Sequence, residues 1–299
     1  MKLASAIVKG GEEVVWVSSR GYVSFVDLAA YYGQRIKPFT MDQLMQDADR
    51  FNYCQDLIQR ALSDQLVLDT PIDKLLAPVP YPKKILCVGL NYRPHARESQ
   101  MEIPKYPVLF SKYPNAVVAS GDLIHPPQDA LEMDYEAELV LIIGRTCAHV
   151  TEDTALDYVF GYCNGNDISA RDLQFRTGQW LLGKSCDGFA PMGPYVVTTE
   201  DIDDPDNLEI LGKRNGEIVQ HSNTREMIFS CRYLISYISH YMTLYPGDVI
   251  FTGTPEGVIL GQPIHARNWL KPGETLSVSV EGLGELVNEI GTPQANTKS

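Results

Sequence analysis

Residues 134–143 read Asp134-Tyr135-Glu136-Ala137-Glu138-Leu139-Val140-Leu141-Ile142-Ile143, two acidic side chains spaced by two followed by an unbroken apolar run. A strand over Glu136–Ile143 puts successive side chains on opposite faces. Glu136 and Glu138 then project from the same face about 7 Å apart, and the apolar run carries the strand into the core. Two adjacent carboxylates repel, so a positive group between them is economical. A hard divalent cation, Mg²⁺ or Mn²⁺, takes carboxylate oxygens at about 2.0–2.2 Å. The alternative is a solvated strand end with both glutamates facing water.

Around that strand, short β-type runs recur from Lys83 onward: Ile85–Gly89, Val108–Phe110, Gly193–Val197, Val249–Thr252 and Leu276–Val280. Gly, Pro and Asp turns separate them, and helical stretches near 151–159 and 225–242 are few. Strands outnumber helices without alternating with them, which excludes Rossmann and TIM patterns and predicts an α+β, mostly β, domain. Ahead of it, residues 2–17 form a hairpin turning at Gly10-Gly11, and Gly21 to Ala30 is a strand running into a helix. Thr40-Met41-Asp42-Gln43 has the capping-box form, and apolar residues from Leu44 to Leu62 recur at helical spacing, predicting an amphipathic helix over 41–63. Three prolines in Ala77-Pro78-Val79-Pro80-Tyr81-Pro82 exclude central strand and helix interior. They divide a small α/β unit, 1–78, from the main domain, 79–299. The polar tail Thr292 to Ser299 is expected to fray.

Composition narrows the function. The 299 residues carry 38 Asp+Glu against 25 Lys+Arg, a formal net charge of −13, with 44% hydrophobic residues. The acid excess and the lack of a basic cluster exclude nucleic acid and an anionic membrane as main partners, because phosphate binding needs a concentrated basic surface. A small anionic substrate remains compatible, since a local site can differ in sign from the whole. No stretch approaches a membrane span, and the N-terminal apolar run is too short for a signal peptide. Six cysteines without a C-x-x-C pair read as reduced thiols, hence a cytoplasmic setting.

Four further stretches could carry chemistry. In Asn164-Gly165-Asn166-Asp167, Asp167 ends a β-like run and suits either a helix cap or a ligand in a cleft. In Tyr92-Arg93-Pro94-His95-Ala96-Arg97-Glu98, His95 and Glu98 share a helix face at i and i+3. A carboxylate holding one imidazole nitrogen leaves the other as a general base, though such pairs are often structural. Lys184, within Leu182-Gly183-Lys184-Ser185, would stabilise an oxyanion if buried beside a metal, or snorkel if not. Thr252-Gly253-Thr254-Pro255 is a turn whose backbone N–H groups could hold a carboxylate, or simply a tight loop. Phosphate-loop, nucleophile-elbow and H-E-x-x-H motifs are missing, and Asp206 stands where a calcium loop requires Gly.

Taken together and in order, NYRPHARE, DYEAELVLIIG, NGNDISARDLQ, GKSCDGFAPMGP and TGTPEGV resemble the fumarylacetoacetate hydrolase family, in particular its bacterial 2-oxo-acid-handling branch, over Lys83 to Ile290. The resemblance implies a mixed β-sandwich/β-roll domain assembled as a homodimer, with Mg²⁺ or Mn²⁺ held by Glu136, Glu138 and Asp167. It casts His95 and Glu98 as a water-activating dyad and Lys184 as the stabiliser of enolate charge. It makes Arg171, Gln174, Gly253 and Thr254 contacts to substrate oxygens. The implied reaction is C–C hydrolysis of an acylpyruvate through a metal-stabilised enolate. The same site could serve as an oxaloacetate-type decarboxylase or a hydroxymuconate-type isomerase or tautomerase, and a binding protein on a degenerate enzyme fold is a third reading. Segment 258–270 is expected to cover the pocket, and residues 93–107 to form a lid carrying the dyad.

Overall fold

The predicted central strand, observed as Ala137–Ile143, is buried along its whole length. In this computed structural model, which describes residues 1–98 and 102–294, it lies inside the principal sheet. Leu139, Leu141 and Ile143 face one hydrophobic core, while Val140 and Ile142 face another. Burial on both faces is why the run is continuously apolar rather than alternating.

Among the described residues the principal sheet has eleven strands. Its main path runs Gly21–Ser24, Gly11–Ser18, Lys2–Val8, Ala190–Thr198, Val159–Asn166, Ala137–Ile143, Val249–Phe251, Ile85–Gly89 and Val108–Lys112. A five-stranded sheet orders Glu217–Asn223, Glu209–Arg214, Thr275–Val280, Leu286–Ile290 and Leu123–Ile124. Ile210, Val278, Val280 and Leu286 from that sheet share a core with Leu139, Leu141 and helix residues Leu234, Ile235 and Ile238. The chain is thus α+β and mostly β. Most neighbours in the sheets are antiparallel, and Val249–Phe251 beside Ile85–Gly89 is a parallel exception.

The N-terminal hairpin does not stand apart: Lys2–Val8 pairs antiparallel with Ala190–Thr198, with Leu3 opposite Val196. The proline-rich segment 77–82 forms neither helix nor strand, but Ala77 and Val79 are buried and the Ser5 hydroxyl donates to the Pro78 carbonyl at 2.9 Å.

Local expectations differ from the structure in identifiable ways. The helix expected over 41–63 is two helices, Met41–Met45 and Ala48–Ser63. Thr40 and Gln43 form the capping box of the first, and Asp47 interrupts the run because its side chain caps the second, accepting from Arg50 N–H. The helix expected near 225–242 starts at Cys231, where Ser230 caps it. Of the tail expected to fray, residues 295–299 lie outside the described ones, and Gln294 N–H donates to the Pro126 carbonyl at 3.0 Å. Among the described residues no helix is long and apolar enough to cross a membrane.

Candidate active site

Pairing of the two central strands places the carboxylates. Val159–Asn166 runs antiparallel to Ala137–Ile143, with Glu138 opposite Gly165 and Ala137 opposite Asn166. Just beyond this register, Asp167 N–H donates to the Glu136 carbonyl at 2.9 Å, and Glu136 N–H donates to Asn166 Oδ1 at 2.9 Å. Glu136 and Asp167 are therefore fastened through their backbones, at the point where both chains leave the sheet. Glu136, Glu138 and Asp167, all buried, bring one carboxylate oxygen each to within 4.8 Å of one another. The helix-cap alternative for Asp167 is not adopted; its carboxylate faces Lys112 and Lys184 instead.

Three cations surround the cluster. Lys184 Nζ lies 2.9 Å from Glu136 Oε2 and 3.0 Å from Asp167 Oδ2. Lys112 Nζ lies 2.5 Å from Asp167 Oδ1 and donates to the carbonyls of Ile168 and Phe189. Arg171 reaches Glu136 Oε1 at 2.6 Å and Asp134 Oδ2 at 2.8 Å. Asp134 in turn accepts the backbone N–H groups of Ile259 and Leu260, at 2.8 and 3.0 Å. Lys112 and Asp134 were not among the residues singled out in the sequence. A lysine ending the strand Val108–Lys112, and an acid two residues before Glu136, were the available signals.

The electrostatic consequences separate the carboxylates. Burial works against ionisation of Glu136, but Lys184 and Arg171 outweigh it and hold the carboxyl down to about 2. Among the described residues no ion pair reaches Glu138, and the pull of Lys184 is the last of the influences on it. Burial, then repulsion from Asp167 and Glu136, push its carboxyl well above the usual range, against a 2.7 Å hydrogen bond from Gly253 N–H. Lys184 is also opposed by burial, yet Asp167 and Glu136 raise it, so it stays an ammonium.

A cation fits this donor set. Each carboxylate oxygen has two lone-pair directions, so a single N–H partner leaves room for another. The donors are all hard oxygens, and their mutual repulsion at Glu138 is what a divalent ion relieves.

The turn after the strand Val249–Phe251 uses its N–H group inwardly. Gly253, at φ +100°, donates to Glu138. A Cβ there would meet Asn91 Cβ at 2.7 Å and the Val88 carbonyl at 2.9 Å, so only glycine fits. The anion held by this turn is thus the protein's own carboxylate. Thr254 does line the cavity, and its hydroxyl donates to the Ala137 carbonyl at 3.0 Å.

The cavity measures about 600 Å³ and is lined by His95 and Glu98 together with Glu136, Arg171, Gln174 and Lys184. His95 and Glu98 come from the helix Arg93–Glu98, with Nδ1 3.5 Å from Oε2. Gly257 N–H also donates to Glu98, at 3.2 Å. Gln174 accepts from Arg171 Nη1 at 2.9 Å. Residues 260–264 and Arg267 form part of the wall, so the segment expected to cover the pocket does border it. Of the lid expected over 93–107, residues 99–101 lie outside the described ones.

The model of the fumarylacetoacetate (FAA) hydrolase C-terminal family matches residues 84–291. The chain belongs to the fumarylacetoacetate hydrolase family. It is 42% identical over 256 residues to rat (Rattus norvegicus) oxaloacetate tautomerase Fahd2a, mitochondrial, across 85% of this chain and 80% of that protein. The fumarylacetoacetate hydrolase of Exiguobacterium antarcticum superposes with a TM-score of 0.79 at 30% identity, covering 98% of this chain and 99% of that one. Maleylpyruvate hydrolase from Sphingobium sp. SYK-6, solved with manganese(II) and pyruvate, gives a TM-score of 0.79 at 27% identity, covering 98% and 100%. Like these family members, the chain is an enzyme, and its buried acidic triad could bind a metal ion.

Proposed function

We propose that this enzyme moves a proton on an anionic 2-oxo acid, interconverting the enol and keto forms of an oxaloacetate-type substrate, with Mg²⁺ or Mn²⁺ at Glu136, Glu138 and Asp167. The observation that carries the reading is the division of labour in the cavity. Lys184 is held as a fixed cation by its two carboxylates, Arg171 is doubly ion-paired, and Glu136 is held ionised. His95 is left as the proton carrier, because it lines the cavity with Nδ1 turned to Glu98 and, among the described residues, no fixed cationic partner.

A divalent cation in the triad would supply Lewis acidity toward the carboxylate and C2 oxygen of the substrate. Arg171, Gln174 and Thr254 line the space where those oxygens would bind and orient them. Lys184 offsets negative charge developing at the C2 oxygen. Glu98 holds the Nδ1 side of His95, leaving Nε2 to deliver a proton to C3 or remove one. The name of the rat relative supports the substrate, and the manganese and pyruvate of the Sphingobium hydrolase support the metal and the 2-oxo acid.

A second reading is C–C hydrolysis of an acylpyruvate. The His95–Glu98 pair favours it, because the same imidazole can activate water when the substrate carries a carbonyl rather than a carboxylate at C4. Either reading includes a homodimer in the cytoplasm. The free cysteines suit a reducing compartment, while the rat relative's name is mitochondrial.

The test is a Mn²⁺ assay of enol-oxaloacetate decay beside pyruvate release from oxaloacetate and from acylpyruvates, each with an EDTA control. Acceleration of enol–keto exchange that EDTA abolishes is expected. Acylpyruvate cleavage without any effect on enol-oxaloacetate would replace the first reading by the second.

A further inference from the structure

The structure assigns Arg267 to a specificity role: it reads a second, distal carboxylate on the substrate. This inference rests on the 2-oxo acid reading above and extends it from the reacting end of the substrate to the far end.

The other cationic groups of the cavity are already engaged with protein carboxylates. Arg171 pairs with Asp134 and Glu136, and Lys184 with Glu136 and Asp167. Arg267 lines the same cavity, half-buried, and among the described residues no carboxylate pairs with it. Its guanidinium is nonetheless held in place. Nε donates to the Gln262 carbonyl at 3.0 Å, and the group lies 5.9 Å from the Trp269 ring centroid. Anchoring through Nε leaves both Nη groups available, the arrangement that grips a carboxylate bidentately.

The surroundings make such a pair worth more than a surface contact. Phe110 and Trp180, half-buried and packed edge-on at 5.3 Å, line the cavity too, and apolar walls strengthen a charge pair. The wall that carries Arg267 begins at the 3₁₀ turn Ile259–Gly261, whose first N–H groups are bound by Asp134. The distal reader and the Arg171–Glu136 pair therefore hang from one carboxylate. A 2-oxo monocarboxylate would fill the inner site and leave Arg267 unmatched.

The test uses the Mn²⁺-loaded full chain as wild type, Arg267→Gln and Arg267→Lys. The probes are 3,3-difluorooxaloacetate, a dicarboxylate that cannot enolise, and pyruvate. Binding is read by tryptophan fluorescence, since Trp180 lines the cavity and Trp269 lies beside Arg267. Arg267→Gln is expected to weaken the dicarboxylate roughly 10- to 100-fold, the range for a charge-assisted hydrogen-bonded pair, and to leave pyruvate within about twofold. Arg267→Lys recovers part of the loss, and KM for enol-oxaloacetate rises more than kcat falls. Unchanged dicarboxylate binding in Arg267→Gln, or equal weakening of both probes, overturns the inference. Wild-type protein that binds the dicarboxylate through Arg267 but turns over neither oxaloacetate nor acylpyruvates overturns the functional reading and leaves the assignment of Arg267 standing.

Discussion

Gly253 N–H donates a 2.7 Å hydrogen bond to Glu138 Oε2, the polar contact that steadies the one carboxylate of the cluster with no ion-paired cation among the described residues. A glutamine at 138 could accept the same bond through its carboxamide oxygen. Its NH₂ would meet oxygens of Glu136 and Asp167, turning repulsion into attraction. In the metal-free protein Glu138→Gln is therefore expected to leave the Tm unchanged or raised, without the loss of about 1–3 kcal/mol that an unsatisfied buried group brings. Thermal melts with EDTA check this.

At pH below its raised value Glu138 keeps a proton that cation entry has to expel. Burial, and then Asp167 and Glu136, raise its carboxyl, so the metal-free fold is favoured by this group at low pH. It loses that contribution as pH rises through the raised value. Apparent Mn²⁺ affinity should run the other way, rising about tenfold per pH unit below the raised value and levelling above it. Calorimetry in buffers of different ionisation enthalpy measures the released proton, and Glu138→Gln should remove this slope.

The dyad predicts a separation between turnover and metal binding. His95→Gln should lower kcat by about 10²–10⁴-fold while leaving Mn²⁺ affinity within about twofold. Gly261→Ala should resemble a Glu98 substitution, because a Cβ at 261 would lie 2.3 Å from the Glu98 carboxyl carbon and push that side chain off His95. A fall in kcat/KM of about 10- to 100-fold, with the Tm retained, is the expected outcome.

Lys112 and Asp167 are a fully buried ion pair, and Lys112 Nζ is also tied to two carbonyls. Removing the ammonium in Lys112→Met leaves Asp167 less compensated, at a cost of about 3–5 kcal/mol. Denaturant unfolding should show that loss in the metal-free protein, with saturating Mn²⁺ restoring part of it by mass action.

Much of the architecture was legible because local chemistry and tertiary context agree. The hairpin at Gly10-Gly11, the Thr40–Gln43 capping box and the apolar run after Glu138 each announce their structure. The break at Asp47 was hidden by an amphipathic pattern that continues across it, although the aspartate had the chemistry of a cap. Glu136, Glu138 and Asp167 could be proposed together because the motifs occur in family order. Lys112, Asp134 and Arg267 could not. Their importance lies in partners 37 or more positions distant, or in the lack of a paired carboxylate, which no spacing rule encodes. Gly253 shows the limit of reading a turn from sequence. The turn was visible, but that its N–H would hold Glu138 rather than a substrate was not.

In the proposed function Glu136, Glu138 and Asp167 hold one divalent cation on which the chemistry depends. Its most direct measurement is an EPR titration of Mn²⁺ into metal-free wild-type protein and Glu138→Gln at one pH above neutrality. The account predicts one tight Mn²⁺ per chain in the wild type and an affinity lower by about 100-fold or more in the variant. Equal Mn²⁺ binding by the two proteins would contradict it.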